Sequence, residues 1–216
     1  MQGVHMQFIL DRLANRKPGI MDEDNFFVSA VLLPLIEREG GLHVLFEVRA
    51  ENLKIQPGEI CFPGGRVEPE ERRNPQVAAV RETVEELGIL TKHVRVLGQL
   101  DILPTPQGRL VYPYVGEILT GNFNPNPEEV AEVFTVPVEF FLTHPPGVAT
   151  TEVATRYSGD FPFAKAPPGY RPQWQKRWSF PVYYFEHGKY FIWGITAKIL
   201  HSFLVLCWPE YPFCRR

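Results

Sequence analysis

Three carboxylates crowd one short stretch of this chain: Glu82, Glu85 and Glu86 stand at i, i+3 and i+4 in Arg81-Glu82-Thr83-Val84-Glu85-Glu86. On a helix that spacing brings the side chains together, and like charges so placed repel by roughly 0.2–0.5 kcal/mol per pair. The negative end of the helix dipole adds to the cost in the last turns. Stability gives no reason for the arrangement. Arg81, four residues before Glu85, offsets one charge and would orient that carboxylate, which leaves two. A hard divalent cation held by carboxylate oxygens resolves the conflict, and Mg²⁺ suits such a site because it pairs one or two carboxylates with substrate phosphates. The competing explanation is a solvated acidic face on an ordinary amphipathic helix. Gly64-Gly65, just upstream, shifts the balance towards a ligand site, because paired glycines let the backbone approach a ligand closely.

The element that must carry these carboxylates is bounded in the sequence. Asn74 is a preferred N-cap, Pro75 suits the first helical position, and Gly88 suits the left-handed residue that ends a helix. At about 100° per residue, Val77, Val80, Val84 and Leu87 form an apolar stripe and the glutamates fall opposite. Residues 26–36 and 43–48 read as a hairpin around 37–41, with Pro34 demoting the end of the first strand towards a sheet edge. Residues 59–62 make a short strand feeding the glycines. Segments 93–102 and 110–117 alternate as strands joined by a loop at 103–109. After an Asn/Pro loop at 122–127, the apolar pattern resumes over 129–136, and a short helix or turn begins at Pro137.

Residues 143–178 differ from the rest. Their prolines exclude a long regular element, and their aromatics (Tyr157, Phe161, Phe163, Tyr170, Trp174 and Trp178) exclude a disordered linker. The stretch is either a lid over a site or a surface flap packed on its own rings. A hairpin at 179–185 and 189–193 and a helix over 196–206 close the chain. A short amphipathic helix within residues 1–17 would set Phe8, Ile9 and Leu13 against the body. Strands on both sides of one central helix, with another helix at the C-terminus, predict an α+β domain with helices covering a mixed sheet.

The chain has 216 residues, 44% of them hydrophobic and 22% charged, which suits one globular domain. A net charge of −3 excludes a strongly basic nucleic-acid binder. Cys61, Cys207 and Cys214 are too few for a disulfide framework, so reduced thiols and a cytoplasmic location are expected. The apolar stretch 192–208 carries Lys198 and His201 and is too short to span a membrane, so no membrane association is expected.

Gly65, Glu71 and then Arg81-Glu82-Thr83-Val84-Glu85-Glu86-Leu87-Gly88-Ile89 resemble the Nudix box, the signature of hydrolases that cleave a diphosphate linked to another moiety. Two departures stand out: the interval from the second glycine to the arginine is two residues longer than usual, and Thr83 occupies an aliphatic position. Counting from the glycine selects Glu71, not Glu70, for the upstream role. The resemblance implies an α/β/α sandwich with a mixed β-sheet and covers most of residues 28–200 outside the proline-rich stretch; length and composition take residues 1–216 as a single domain, with an insertion at about 143–178. It also implies Mg²⁺, with Mn²⁺ as the substitute, held by Glu82, Glu85, Glu86 and the backbone carbonyl of Gly64 or Gly65. The general base would be a box glutamate such as Glu85 or one from a later loop, Glu129, with Glu132 the weaker alternative.

Further stretches resemble the coenzyme A diphosphatase subgroup of that family. These are Arg49-Ala50-Glu51-Asn52-Leu53-Lys54 with Gly58 and Phe62-Pro63-Gly64-Gly65, then Pro104-Thr105, Val111 to Gly116, Glu129-Val130 and Ile192-Trp193-Gly194-Ile195-Thr196-Ala197. Arg49, Lys54 and Arg66 are then the expected contacts to a nucleotide diphosphate substrate. Ala50, Lys54 and Gln56 depart from the subgroup's usual serine, arginine and histidine, and lysine lacks the planar fork that grips phosphate in two places. The alternatives are a diphosphatase for another nucleotide conjugate, such as ADP-ribose or a dinucleoside polyphosphate, and a module that binds a nucleotide without cleaving it.

Overall fold

The computed structural model describes residues 6–16 and 19–213, without the side chain of Phe8. Expectations for Met1–His5, Lys17, the Phe8 side chain and Cys214 therefore lie outside the described residues. Helix α1, Met6–Leu13, forms, yet its Ile9 and Leu13 are exposed and do not pack on the body as expected. Other helices already cover both faces of the main sheet.

Strands β1, Phe27–Arg38, and β2, Gly41–Arg49, form the expected hairpin, with Leu35 opposite Val44 and Arg38 opposite Gly41. The short strands β3, Ile60–Cys61, and β4, Gly64–Arg66, follow, then helix α2, Gln76–Leu87. Strands β5, Val94–Gln99, β6, Leu103–Pro104, β7, Arg109–Ile118, and β8, Val130–Pro137, complete an eight-stranded sheet in which β1 and β7 run parallel and the other pairs antiparallel. Helix α3 is Val138–Thr143. Strands β9, Gly147–Thr155, β10, Gln175–His187, and β11, Tyr190–Trp193, make a second, antiparallel sheet, and α4 is Gly194–Cys207. The fold is α+β with a mixed sheet, as the sequence predicted.

The hairpin strands β1 and β2 diverge towards the site. Strand β8 lines one side of β2, so β1 and β3 share the other, β1 at Gly41–Val44 and β3 at Glu47 and Val48. By the same reasoning β4 lies on the β2-facing side of β1, paired with Ser29, Ala30 and Val31. The chain from β3 to β4 is therefore wedged between the splayed strands. This corrects the reading of Pro34 as an edge residue, since β1 is central. Leu32 donates its N–H to the Pro63 carbonyl on the β2 side, and Pro34, two residues on, faces the same side. There the partner changes from β4 to β2, so the missing N–H falls in the gap.

Two cores lie on the two faces of the sheet. Val28, Ala30, Leu32, Ile36 and Leu45 pack against Ala78, Ala79 and Leu87 of α2. Leu33, Leu35, Val44, Phe46 and Phe62 pack against Ile199, Leu200, Phe203 and Leu204 of α4, with Phe141, Phe185 and Ile192. Being covered on both faces explains why β1 is a nearly unbroken apolar run.

The stretch 143–178 does hold long regular elements, contrary to expectation. Strand β9 and the first part of β10 pair from Gly147 opposite Tyr184 to Thr155 opposite Gln175, with a bulge between Lys176 and Trp178. The prolines are confined to its ends and to the loop 156–174, where they interrupt no ladder.

Candidate active site

Helix α2 turns a different face to the sheet than its valines suggest. Ala78, Ala79, Thr83, Glu86 and Leu87 are buried, Val77 is exposed, and Val80 and Val84 flank the contact. Alanines at the centre let the helix approach closely, and Thr83 is tolerated there because its hydroxyl donates to the Ala79 carbonyl at 2.7 Å. The sequence expectation that Glu86 faces away is corrected, because the rotation carries it under the end of the sheet. The helix starts one residue later than expected: Pro75 occupies the cap position without a side-chain cap, and Gly88 ends it at φ 61°.

Glu86 is buried, and its Oε2 accepts the N–H of Gly64 at 2.8 Å. The two glycines make this approach possible and are strand residues rather than a turn. A Cβ on Gly64 would stand 2.5 Å from the Ala30 carbonyl oxygen and 2.6 Å from the Val31 Cα, and one on Gly65 would overlap the Glu82 carboxylate. Burial, then the nearby Glu47 charge, push Glu86 well above the usual carboxylate range.

Glu47 was not singled out from the sequence, yet it is fully buried on β2. Its Oε1 accepts the Cys61 S–H at 3.3 Å, and its Oε2 has no hydrogen-bond partner among the described residues. Burial pushes its carboxyl up too, opposed by Cys61 and Arg49 and reinforced by the charges of Glu129 and Glu82. The only sequence signal was one acidic residue inside an otherwise apolar strand. Cys61 in turn is held in its thiol form by burial and the Glu47 charge.

Arg81 binds more than the one glutamate expected of it. Its Nε and one terminal nitrogen reach the two oxygens of Glu71, at 3.0 and 3.2 Å, and the other terminal nitrogen reaches Glu82 at 2.8 Å and Glu85 at 3.3 Å. It also donates to the Arg66 carbonyl at 3.2 Å. Glu71 is buried and accepts the Glu68 N–H at 2.9 Å, so the count from the glycine selected the residue that holds Arg81. The Arg81 hydrogen bonds depress the Glu71 carboxyl, whereas burial raises Glu82 despite Arg81 beside it. Glu85 is the outlying carboxylate, half exposed.

Of the remaining expected residues, Glu129 and Arg49 come to this place. Glu129 sits in the turn before β8, pinned by the Ala50 N–H to its carbonyl at 2.9 Å, and its charge is felt at both Glu47 and Glu82. Arg49 ends β2, and its charge is felt at Glu47 and Glu86; its Nε is buried without a partner among the described residues. Lys54 is exposed and makes no ion pair among the described residues. The exposed Arg66 guanidinium lies 5.9 Å from the Phe27 ring centroid. Glu132 is engaged elsewhere, bonded to Lys189 at 2.9 Å and to the Tyr190 hydroxyl.

Among the described residues, no three carboxylate, imidazole or thiol groups already converge as a cation cage. Arg81 instead draws Glu82 and Glu85 to itself. The donor set nevertheless fits a hard dication: burial raises the proton affinity of both Glu47 and Glu86, the Glu47 charge raises Glu86 further, and one Glu47 oxygen is orphaned. Such a pair requires either protons or a cation.

Fold and site together are those of a Nudix domain. The chain belongs to the Nudix family, whose NUDIX domain model matches residues 26–155. It is 43% identical over 118 residues to the peroxisomal coenzyme A diphosphatase of Mus musculus, an overlap of 54% of this chain and 49% of that protein. The chain thus matches about half the length of that relative. It is 32% identical over 185 residues to the mitochondrial coenzyme A diphosphatase of Homo sapiens, covering 84% of this chain and 70% of the other. Among solved structures, a MutT/nudix family protein from Enterococcus faecalis shares the fold at a TM-score of 0.50 and 14% identity, covering 95% of this chain and 70% of that one.

Proposed function

We propose that this chain hydrolyses the diphosphate bond of coenzyme A or an acyl-coenzyme A, with Mg²⁺ as the physiological ion and Mn²⁺ as a substitute. The carrying observation is buried Glu86 held by the Gly64 amide, within charge reach of buried Glu47 and of Glu82, which packs on Gly65. Bound there, a dication would supply Lewis-acid neutralisation of phosphate charge and lower the pKa of a water. Glu82, Glu85, Glu86, Glu47 and the Gly65 carbonyl would hold the ion.

Arg81, anchored by Glu71, positions Glu82 and Glu85. Glu129, in the turn before β8 and within charge reach of Glu47 and Glu82, would take the proton of the attacking water, with Glu85 as the competing base. Arg49 would supply positive charge beside the carboxylates for a substrate phosphate, and the exposed Lys54 and Arg66 would add to it. Coenzyme A as substrate rests on the two relatives so named. A cytoplasmic location rests only on the free thiols of Cys61 and Cys207, which fit any reducing compartment; the names of those two relatives place them in peroxisomes and mitochondria.

Exposed Lys54, standing where the subgroup has arginine, favours a second reading, hydrolysis of another nucleotide conjugate. Binding without cleavage is disfavoured because all the box carboxylates are present. The test is a Mg²⁺ assay of the purified chain against coenzyme A, ADP-ribose and diadenosine polyphosphates. Coenzyme A should give the highest kcat/KM. Faster cleavage of either other substrate would favour the second reading, and cleavage of none would favour a binding module.

A further inference from the structure

Strands β9 and β10 leave the body of the molecule as a two-stranded ribbon. Strand β11 pairs with β10 only from Tyr184 to His187, and α4 packs on β10 at Phe180 and Tyr183, so residues 175–179 run on beside β9 alone, about 17 Å at ~3.3 Å per residue. Among the described residues, the hydrogen bonds, ion pairs and ring contacts of 156–178 are all with other residues of the ribbon. The loop holds its shape with its own rings: Tyr157 lies 4.4 Å from Phe161 and 5.6 Å from Tyr170, and Phe161 lies 5.0 Å from Phe163.

This ribbon is unlike the rest of the surface in charge and in polarity. Residues 147–178 carry five basic side chains (Arg156, Lys165, Arg171, Lys176 and Arg177) against two acidic ones (Glu152 and Asp160). That balance of +3, in a chain of net charge −3, leaves −6 for the remainder. Trp174 is 66% exposed, Trp178 53% and Tyr170 45%, within one projecting tip. Pro162, Pro167, Pro168 and Pro172 are exposed too, and having no N–H they lose no backbone donor on leaving water.

We infer that the tip of this ribbon docks on an anionic lipid bilayer. Tryptophan and tyrosine settle at the level of the headgroups, and clustered lysine and arginine are drawn to anionic lipid. Confining both to a tip about 17 Å or more out keeps the acidic body beyond a Debye length of ~10 Å from the surface. A single-stranded nucleic acid suits the tip less well, because it needs a row of open ring faces for its bases. Here Arg156 lies over Trp174 at 5.3 Å, and Tyr157, Phe161, Phe163 and Tyr170 pack on one another. The contact would be peripheral, since among the described residues no helix is long and apolar enough to cross a membrane.

The test is partition of the full chain onto vesicles of phosphatidylcholine with about one-third phosphatidylserine, against phosphatidylcholine alone, at ~0.1 M salt. The parent should bind the anionic vesicles at least about tenfold more strongly, with a blue shift of tryptophan emission. The R171E/R177E and W174S/W178S variants should each lose about tenfold while keeping the parent's melting temperature. No preference for anionic vesicles, or binding unchanged in both variants, would overturn the assignment. So would tighter binding to a thymidine oligonucleotide than to the vesicles, which would make the tip a nucleic-acid site.

Discussion

Glu86 is where stability and chemistry oppose each other. Burial and Glu47 raise its proton affinity in the folded chain above the ordinary glutamate value of 4.5, so the metal-free fold loses stability as pH rises through and beyond that value. Glutamine keeps an oxygen for the Gly64 N–H and has nothing to titrate. Glu86→Gln should therefore melt with the parent near pH 4.5 and roughly 2–4 °C or more above it at pH 8 without metal, while turnover falls at least ~10²-fold. A lower melting temperature at pH 8, or near-parental turnover, would remove Glu86 from the role assigned to it. Glu71, Arg81, Glu82 and Glu85 were legible because helical spacing and the count from Gly65 relate them within one segment. Glu47 was not, since its significance comes from Cys61 and Glu86, which only the folded sheet brings to it.

The seam between β4 and α2 sets how close those groups can come. An alanine at Gly64 meets main-chain atoms of β1 that cannot yield, whereas one at Gly65 meets only the end of the Glu82 side chain. Gly64→Ala should then cost roughly 1–3 kcal/mol in denaturant unfolding. Gly65→Ala should cost less than half as much yet lower kcat by ~10²-fold, because it displaces Glu82. Equal stabilities, or a fully active Gly65→Ala, would show that the seam is not built as described. The hairpin β1–β2, α2 and α4 were legible from alternation, punctuation and apolar period. The face of α2 was misjudged because Ala78 and Ala79 count for little on a hydrophobic scale although they permit the closest packing. Strand β9 was missed because Thr- and Ala-rich exposed residues lack the apolar alternation of a buried strand.

At the scale of the whole molecule, two helices clamp a mixed sheet from opposite faces, and the splayed hairpin admits the glycine strand at one end. The site is thus made of segments far apart in sequence: β2, β3–β4, α2 and the loop before β8. Unfolded, these carboxylates are solvated separately; folded, they gather into a place that calls for a cation. The most direct test is hydrolysis followed as a function of Mg²⁺ after exhaustive chelation, in the parent and in Glu47→Gln, using whichever diphosphate substrate the parent cleaves fastest. Chelation should abolish turnover and Mg²⁺ should restore it saturably, with Glu47→Gln needing at least ~10-fold more Mg²⁺ for half-maximal rate. A chelated parent that still turns over, or a Glu47→Gln variant with the parent's Mg²⁺ dependence, would contradict the assignment of the buried carboxylates to a cation site.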